Sequence, residues 1–510
     1  MKSRTKMTAK NIFYGYISNF ANLLLNFVSR TIFIKVLSTT YLGINGLFSN
    51  VLGVLSFAEL GIGIALNYNL YKPVAEGNKE KIKSVMKLYK ISYRVIALII
   101  AVLGVALIPF LRYIVKDPGD VGNIVVYYII FLFNTVSGYF VSYKFSLVNA
   151  EQKNYVMTNI NLVTSFIERI LQLAILIITR NFLAYLLTAT LVTTIQKIYV
   201  NIYLNKMYPY LLEKDVEPLE KTEVKAIKKN VFGLIWHKFG DICVHQTDNI
   251  IISAFINITT VGIISNYTMI ITSIRGFLNM IFSSAVPSLG NLVATTDIKK
   301  QFSVFKIYNF INFWLYGFCT IVFFILIPPF ITLWIGKENL IGLLPFLLIC
   351  IDFYLSGQRA SFQNYKTAFG IFYDDKFVVL QAAVINLVVS IICAKIWGIT
   401  GVYVGTVVTG LYQTIRRPII AYERITNDKT LNYFKTLIKY LICVAIPGVV
   451  MYFISTVLLK QVTFLRFVLL CVILVVVVNG WFYLLFRKTA EFDYVRNLIK
   501  RFLKKGESNE

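Results

Sequence analysis

A chain of 510 residues that is 57% hydrophobic, 15% aromatic and only 15% charged is excluded from the water-soluble globular class. A spanning helix takes about 20 mostly apolar residues, so this length holds roughly fourteen of them and leaves no room for a sizeable soluble catalytic domain. The net charge of +26, from 51 Lys+Arg against 25 Asp+Glu, would suit nucleic acid only if the basic residues were gathered on one polar domain.

Apolar runs broken by charged or Gly/Pro-containing punctuation predict spans at 11–36, 42–68, 95–114, 122–146, 157–179, 183–205, 230–256, 262–287, 305–327, 341–364, 378–397, 402–422, 437–457 and 464–486. The polar start MKSRTKMTAK leads into a run too long for a signal peptide, so the first span is expected to stay in the protein. Fourteen is even, which puts both termini on one side. Of the 51 basic residues, 39 fall in the termini and the connections on that side and only 8 in the opposite set, which predicts cytoplasmic N- and C-termini. These residues are loop anchors facing anionic lipid headgroups, and no nucleic-acid partner is expected. At the C-terminus, Phe492, Val495, Leu498 and Phe502 recur at helical spacing among Arg496, Lys500, Arg501, Lys504 and Lys505, the pattern of a basic interfacial helix.

Six cysteines stand singly inside apolar runs, without a CxxC pair, and read as buried small hydrophobes. His237 and His245 share a spacing seen in metal pairs but lack the HExxH pattern, so no metal ligand set is expected.

A weak internal repeat appears at an offset of 219 residues: Asn11 meets Asn230, Phe13 meets Phe232, and Gly43-Ile44 meets Gly262-Ile263. The offset equals the distance from the first span to the seventh. The predicted fold is therefore all-α, polytopic, with about 14 transmembrane helices: two six-helix halves related by pseudo-twofold symmetry plus two C-terminal helices. The boundaries follow as an N-terminal bundle over 1–205, a cytoplasmic linker over 206–229, a second bundle over 230–422, two further spans over 437–486 and a basic tail over 487–510.

A charged side chain at the bilayer centre costs about 2.5–3.5 kcal/mol on the translocon scale, so ionisable residues within spans are expected to face protein or water. Several form stripes. Asn19, Asn22, Asn26 and Arg30 share one face of the first span; Asn45, Ser49, Ser56 and Glu59 one face of the second; Asn161, Ser165, Glu168 and Gln172 one face of the fifth. His237, Asp241, His245 and Asp248 do the same in the seventh, with Lys238 at the edge. Thr268, Thr272, Arg275 and Asn279 line the eighth, and Asp352, Ser356, Arg359 and Gln363 the tenth. The Ser/Asn-only positions serve equally as interhelical glue, whereas mid-span charge points to a wet cavity. The candidate cavity residues are Asn26, Arg30, Glu59, His237, Lys238, Asp241, His245, Asp248, Arg275, Asp352 and Arg359.

The run SRTIFIKVLSTTYLGINGLFSNVLGVLSFAELGIGIALNYNLYKP, residues 29–73, closely resembles the first two helices of Wzx-type polysaccharide transporters of Gram-positive bacteria. TDNIIISAFINITTVGIISNY at 247–267, with SLGNLVA at 288–294, is similar to their seventh and eighth helices. These transporters belong to the multidrug/oligosaccharidyl-lipid/polysaccharide exporters, which also include drug-extruding MATE proteins and the lipid II flippase. The resemblance implies a flippase in the bacterial cytoplasmic membrane that moves an undecaprenyl-pyrophosphate-linked oligosaccharide for capsule, exopolysaccharide or other surface polysaccharide synthesis. It further implies membrane lipids, glycosyltransferases and a polymerase as partners, no cofactor, and alternating access biased by a proton or sodium gradient. Arg30, Arg275 and Arg359 would grip pyrophosphate; Glu59, Asp241, Asp248 and Asp352 would couple an ion or balance the arginines. Counting Arg359, which stands at the border of a span and its connection, five basic residues face five acidic ones within spans, so charge alone leaves a MATE-type cation-coupled drug exporter as the alternative. An integral-membrane polymerase or glycosyl-transferring enzyme is the alternative of a different class, disfavoured by the short outward connections.

Overall fold

The structure is a computed structural model that describes the backbone of residues 2–213, 215–369 and 376–507. Side chains within 1–16, 18–19, 57–58, 60–62, 64–66, 229–230, 232–245, 370–376 and 501–510, and at 214, 226, 287, 294 and 499, lie outside the described residues. All regular secondary structure among the described residues is helical.

In chain order the helices are α1 (Lys2–Val36), α2 (Thr39–Leu55), α3 (Phe57–Glu76), α4 (Lys79–Leu107), α5 (Leu111–Ile114), α6 (Ile124–Ser142), α7 (Phe145–Ala150), α8 (Asn154–Thr179) and α9 (Phe182–Met207). There follow α10 (Lys221–Phe255), α11 (Ile258–Thr295), α12 (Ile298–Ile335), α13 (Leu343–Ala368), α14 (Lys376–Trp397), α15 (Ile399–Thr426), α16 (Thr430–Leu458), α17 (Phe464–Phe486) and α18 (Ala490–Glu507).

Every predicted span overlies helical residues, and among the described residues ten helical stretches are long and apolar enough to cross a membrane on composition alone. The protein is a multi-pass membrane protein. Several helices outrun the apolar windows that predict them: α4 begins at Lys79, where the Asn78 side chain accepts from the Lys81 N–H at 3.0 Å, sixteen residues before the run at 95. Hydropathy changes where the hydrocarbon ends, but a capped helix continues into the headgroup layer. The predicted second span is divided into α2 and α3 at Ser56, whose hydroxyl donates to the Leu52 carbonyl at 2.8 Å and whose ψ of 6° leaves the helical region. Helix α15 buries Thr406, Thr409, Gln413 and Thr414, a polar face that lowers its mean hydropathy without shortening it.

Contacts divide the chain into two units, residues 1–265 and 266–510. In the first, α8 packs on α1 and α9, α6 on α4 and α9, and α10 on α2 and α3. Helix α10, assigned from the sequence to the second bundle, thus groups with the first six predicted spans. An aromatic cluster of Phe33, Tyr127, Phe182 and Tyr185 ties α1, α6 and α9 together, with Phe33 and Tyr185 edge-to-face at 5.2 Å. In the second unit, α13 packs on α12 and α15, α14 lies along α15, and α16 and α17 both cover α12. Phe313 of α12 stacks on Tyr440 of α16 at 4.0 Å and meets Phe482 of α17 at 5.2 Å, so the two extra spans are anchored by buried rings.

Candidate functional site

In the second unit, α11, α13 and α15 bring four charged side chains together. On α13, Asp352, Arg359 and Gln363 are seven and four residues apart and share one face. Asp352 stands between two guanidinium groups without closing tightly on either: its Oδ2 is 3.7 Å from Arg275 Nη2 and its Oδ1 is 4.0 Å from Arg359 Nη2. Arg275 reaches in from α11 and lies over the Phe353 ring at 5.5 Å, a cation–π contact that fixes its plane. Its Nε is buried with no hydrogen-bond partner among the described residues.

Arg359 donates from Nη1 to the Gly410 carbonyl of α15 at 2.9 Å. Position 410 is open to such an approach because it has no side chain: a Cβ there would lie 2.9 Å from that same Nη1. One α15 face carries Gly410, Thr414 and Arg417, and Arg417 Nη1 donates to Gln363 Oε1 at 3.3 Å. Arg359 feels Asp352, Arg417 and Arg275 together. Two guanidinium groups, those of Arg275 and Arg359, therefore flank one carboxylate, and Arg417 lies within electrostatic reach of Arg359. Guanidinium pairs in this arrangement bind oxyanions in bidentate fashion, which a lysine cluster does not do.

Sequence reasoning misses Arg417, because it counts with the basic connection after the twelfth span. Its signal is the spacing from Gly410 and Thr414, four and then three residues on the face of α15.

The remaining candidates occupy other places. In the first unit, Arg30 is engaged by a neutral partner: both Nη atoms donate to Ser265 Oγ, at 3.1 and 3.0 Å, and Nη1 also reaches the Ser265 carbonyl at 3.2 Å. Tyr185 and Arg169 are its electrostatic neighbours, so its charge is not neutralised by that contact. Asn26 lies one turn away on α1, half-buried. Glu59 of α3 accepts a hydrogen bond from Tyr139 of α6 at 2.8 Å. Asp248 is half-buried on α10. The side chains of His237, Lys238, Asp241 and His245 lie outside the described residues. Among the described residues no three His, Cys, Asp or Glu side chains are placed to hold a metal ion.

The sequence profile of polysaccharide biosynthesis proteins matches residues 8–293, more than half of the chain. The protein belongs to this polysaccharide biosynthesis family. Solved structures share the fold of this family member at low sequence identity. The lipid II flippase MurJ, in an inward closed conformation, is 14% identical with a TM-score of 0.67, and the match covers 93% of this chain and 99% of the flippase. A mutant form of the Vibrio cholerae MATE transporter VcmN is 14% identical with a TM-score of 0.57, covering 84% and 99%. An inward-facing multidrug resistance MATE transporter of the MOP superfamily is 14% identical with a TM-score of 0.56, covering 80% and 95%. No curated protein sequence matches significantly. These likenesses show the fold, which this chain shares with a lipid II flippase and with MATE transporters.

Proposed function

We propose that this protein is a flippase that carries an undecaprenyl-pyrophosphate-linked oligosaccharide across the bacterial cytoplasmic membrane for surface polysaccharide synthesis, by alternating access, with both termini in the cytoplasm. A sugar and a pyrophosphate cannot enter hydrocarbon, so a polar path must replace water for the headgroup while the lipid tail stays in the bilayer. The observation that carries the reading is the pair of arginines, Arg275 and Arg359, that flank the carboxylate of Asp352, with Arg417 beside Arg359. Two guanidinium groups facing one carboxylate suit a pyrophosphate better than the organic cations that a drug exporter takes. Membership in a polysaccharide biosynthesis family supports the same substrate class. Glycosyltransferases that build the precursor and a polymerase that consumes it are the partners this reading implies, and Glu59 is a candidate for coupling to a proton or sodium gradient.

The test is reconstitution into vesicles with a fluorescent lipid-linked oligosaccharide, with and without imposed proton and sodium gradients. Protein-dependent loss of the probe from one leaflet, abolished by Arg359→Gln, is the expected result. Extrusion of organic cations with the lipid-linked sugar left in place would replace this reading by the drug-exporter one.

A further inference from the structure

Away from the arginine cluster, the first unit holds a second basic cavity of about 250 Å³. It lies where α4, α6 and α9 meet the segments that follow α6 and α9, and Lys90, Arg94, Tyr143, Lys144, Asn201 and Asn205 line it. Lys144 is only 4% exposed, two residues beyond the end of α6. Its Nζ is held by the side-chain carbonyls of Asn201, at 2.6 Å, and Asn205. Lys90 acts on it electrostatically, and Arg94 is a charged neighbour of the adjoining Tyr143. Two asparagines fix an ammonium in place but leave its charge intact.

Among the described residues that line it, none is a carboxylate. The acids of the surrounding segments are committed elsewhere: Glu213 and Glu80 to Lys83, at 2.6 and 2.7 Å, Glu151 to Tyr208 and Lys153, and Glu59 to Tyr139. Neither Lys90 nor Arg94 makes an ion pair among the described residues. Three like charges around one cavity repel each other, and an oxyanion between them turns that repulsion into attraction.

The walls beside the cavity say where such an anion comes from. On α4, Arg94 is followed at helical spacing by Leu98, Val102 and Val105, all exposed, with Leu98 65% exposed. On α9, Leu191, Ile195, Ile198 and Ile202 are exposed, and on α6 Phe133 and Phe140. In a membrane protein such faces meet acyl chains. Leu98 lies four residues, about 6 Å of helix rise, from Arg94, so hydrocarbon contact begins within one turn of the cationic group. A dissolved phosphate makes no use of that apolar wall.

We infer that Lys90, Arg94 and Lys144 form a binding site for the phosphate of an anionic phospholipid, whose acyl chains lie on the exposed faces of α4, α6 and α9. Tyr143, Asn201 and Asn205 supply hydrogen bonds to the headgroup edge. The site belongs to the leaflet faced by the 39 basic residues of the loops and termini, where anionic lipid is attracted by the same charge.

The full-length protein is purified in mild detergent, stripped of lipid, and titrated in three arms with phosphatidylglycerol, phosphatidylcholine or inorganic phosphate, with bound lipid counted by native mass spectrometry and thermal stability followed in parallel. Phosphatidylglycerol should be retained and should raise the melting temperature, and Lys90→Gln with Arg94→Gln should weaken its retention roughly tenfold or more, as two basic groups near an anionic headgroup predict. Lys299→Gln with Lys300→Gln removes two exposed charges elsewhere and should leave retention unchanged. Lys144→Gln should reproduce the loss; if it lowers the yield instead, the exposed Lys90 and Arg94 pair still decides the matter. Equal retention of phosphatidylcholine, equal protection by inorganic phosphate, or equal loss in the Lys299/Lys300 variant would each overturn the proposal.

Discussion

Gly43 of α2 and Gly262 of α11, 219 residues apart, face each other so closely that a methyl group on Gly43 would fall on the Ile258 carbonyl and one on Gly262 would fall on the Thr39 carbonyl. The contact is self-complementary: Ile258 stands to Gly262 as Thr39 stands to Gly43. Thr40 and Thr259 join across it through their hydroxyls at 2.9 Å, again 219 residues apart. The offset seen as a weak sequence repeat is therefore a local twofold relationship in space, in which residue i meets residue i+219.

Because hydroxyl oxygens at 40 and 259 are within hydrogen-bond reach, thiols at those positions are within reach of a disulfide. Thr40→Cys with Thr259→Cys should cross-link on mild oxidation in membranes. The cross-linked protein should lose most of its flipping activity and recover it on reduction, if this contact parts during the cycle. Full activity in quantitatively cross-linked protein would show that α2 and α11 stay together throughout.

Gly43→Val probes the same contact by overpacking. Adding a branched side chain against a backbone carbonyl forces the helices apart and costs about 1–3 kcal/mol. A lower melting temperature for Gly43→Val, with little change for Gly138→Ala at an uncrowded helical position outside this contact, is the expected pattern in detergent. Equal effects at both positions would mean that the close approach does not matter.

At the arginine cluster, Arg417→Gln should lower flipping of the lipid-linked oligosaccharide by about tenfold or more, since hydrogen bonds to charged groups contribute about 1.5–3 kcal/mol each. Asp352→Asn should act in the opposite sense on anions. It takes from Arg275 and Arg359 the carboxylate that stands between them, so the purified protein should melt earlier and be rescued by inorganic pyrophosphate more strongly than the wild type is. Absence of rescue, with Asp352→Asn as stable as wild type, would argue that the cluster holds no anion.

Much of this site was legible in the sequence. Arg275, Asp352 and Arg359 stand out because ionisable groups are rare in apolar runs, and helical spacing places Asp352 and Arg359 on one face. What spacing along one helix does not reveal is which stripe meets which. Arg30 and Arg359 look alike as mid-span arginines, yet one is bound to Ser265 and the other stands among two further arginines. Arg417 escaped because a basic residue near a helix end is the ordinary mark of a loop. The approach of α10 to α2 rests on the missing side chain of Gly53, where a Cβ would meet the Gln246 side chain, and on Asn50 Nδ2 donating to the Gln246 carbonyl at 3.3 Å, pairings that no single-helix pattern encodes.

The C-terminal helix does more than rest on the headgroups, as its basic amphipathic pattern suggests. Phe492 stacks on Trp314 of α12 at 5.8 Å, and Val495 also packs against the core of the second unit. Phe492→Ala should therefore lower stability by about 1–2 kcal/mol, less than the 3–5 typical of a fully buried phenylalanine because Phe492 is only partly buried. Removing residues 489–510 should lower stability further while leaving transport per molecule unchanged. Complete loss of transport at normal abundance would give the tail a direct part in the cycle.

Lys144 offers a test by pH. It follows the spanning helix Ile124–Ser142, and burial, with a smaller contribution from Lys90, pushes its ammonium down to about 8. Between that value and the ordinary lysine value of 10.5, the unfolded chain keeps a proton that the folded one has released. Stability contributed at this position therefore rises as pH increases from 8 to 10, and the cost of the buried charge is fully present below pH 8. Comparing wild type with Lys144→Met in lipid-free detergent removes the background of other titrating groups. The wild type should gain about 1–2 kcal/mol relative to the variant over that interval. Added phosphatidylglycerol, by stabilising the charged form, should shrink the gain. A difference between the two proteins that does not move with pH would show that Lys144 keeps its ordinary affinity for the proton in the fold.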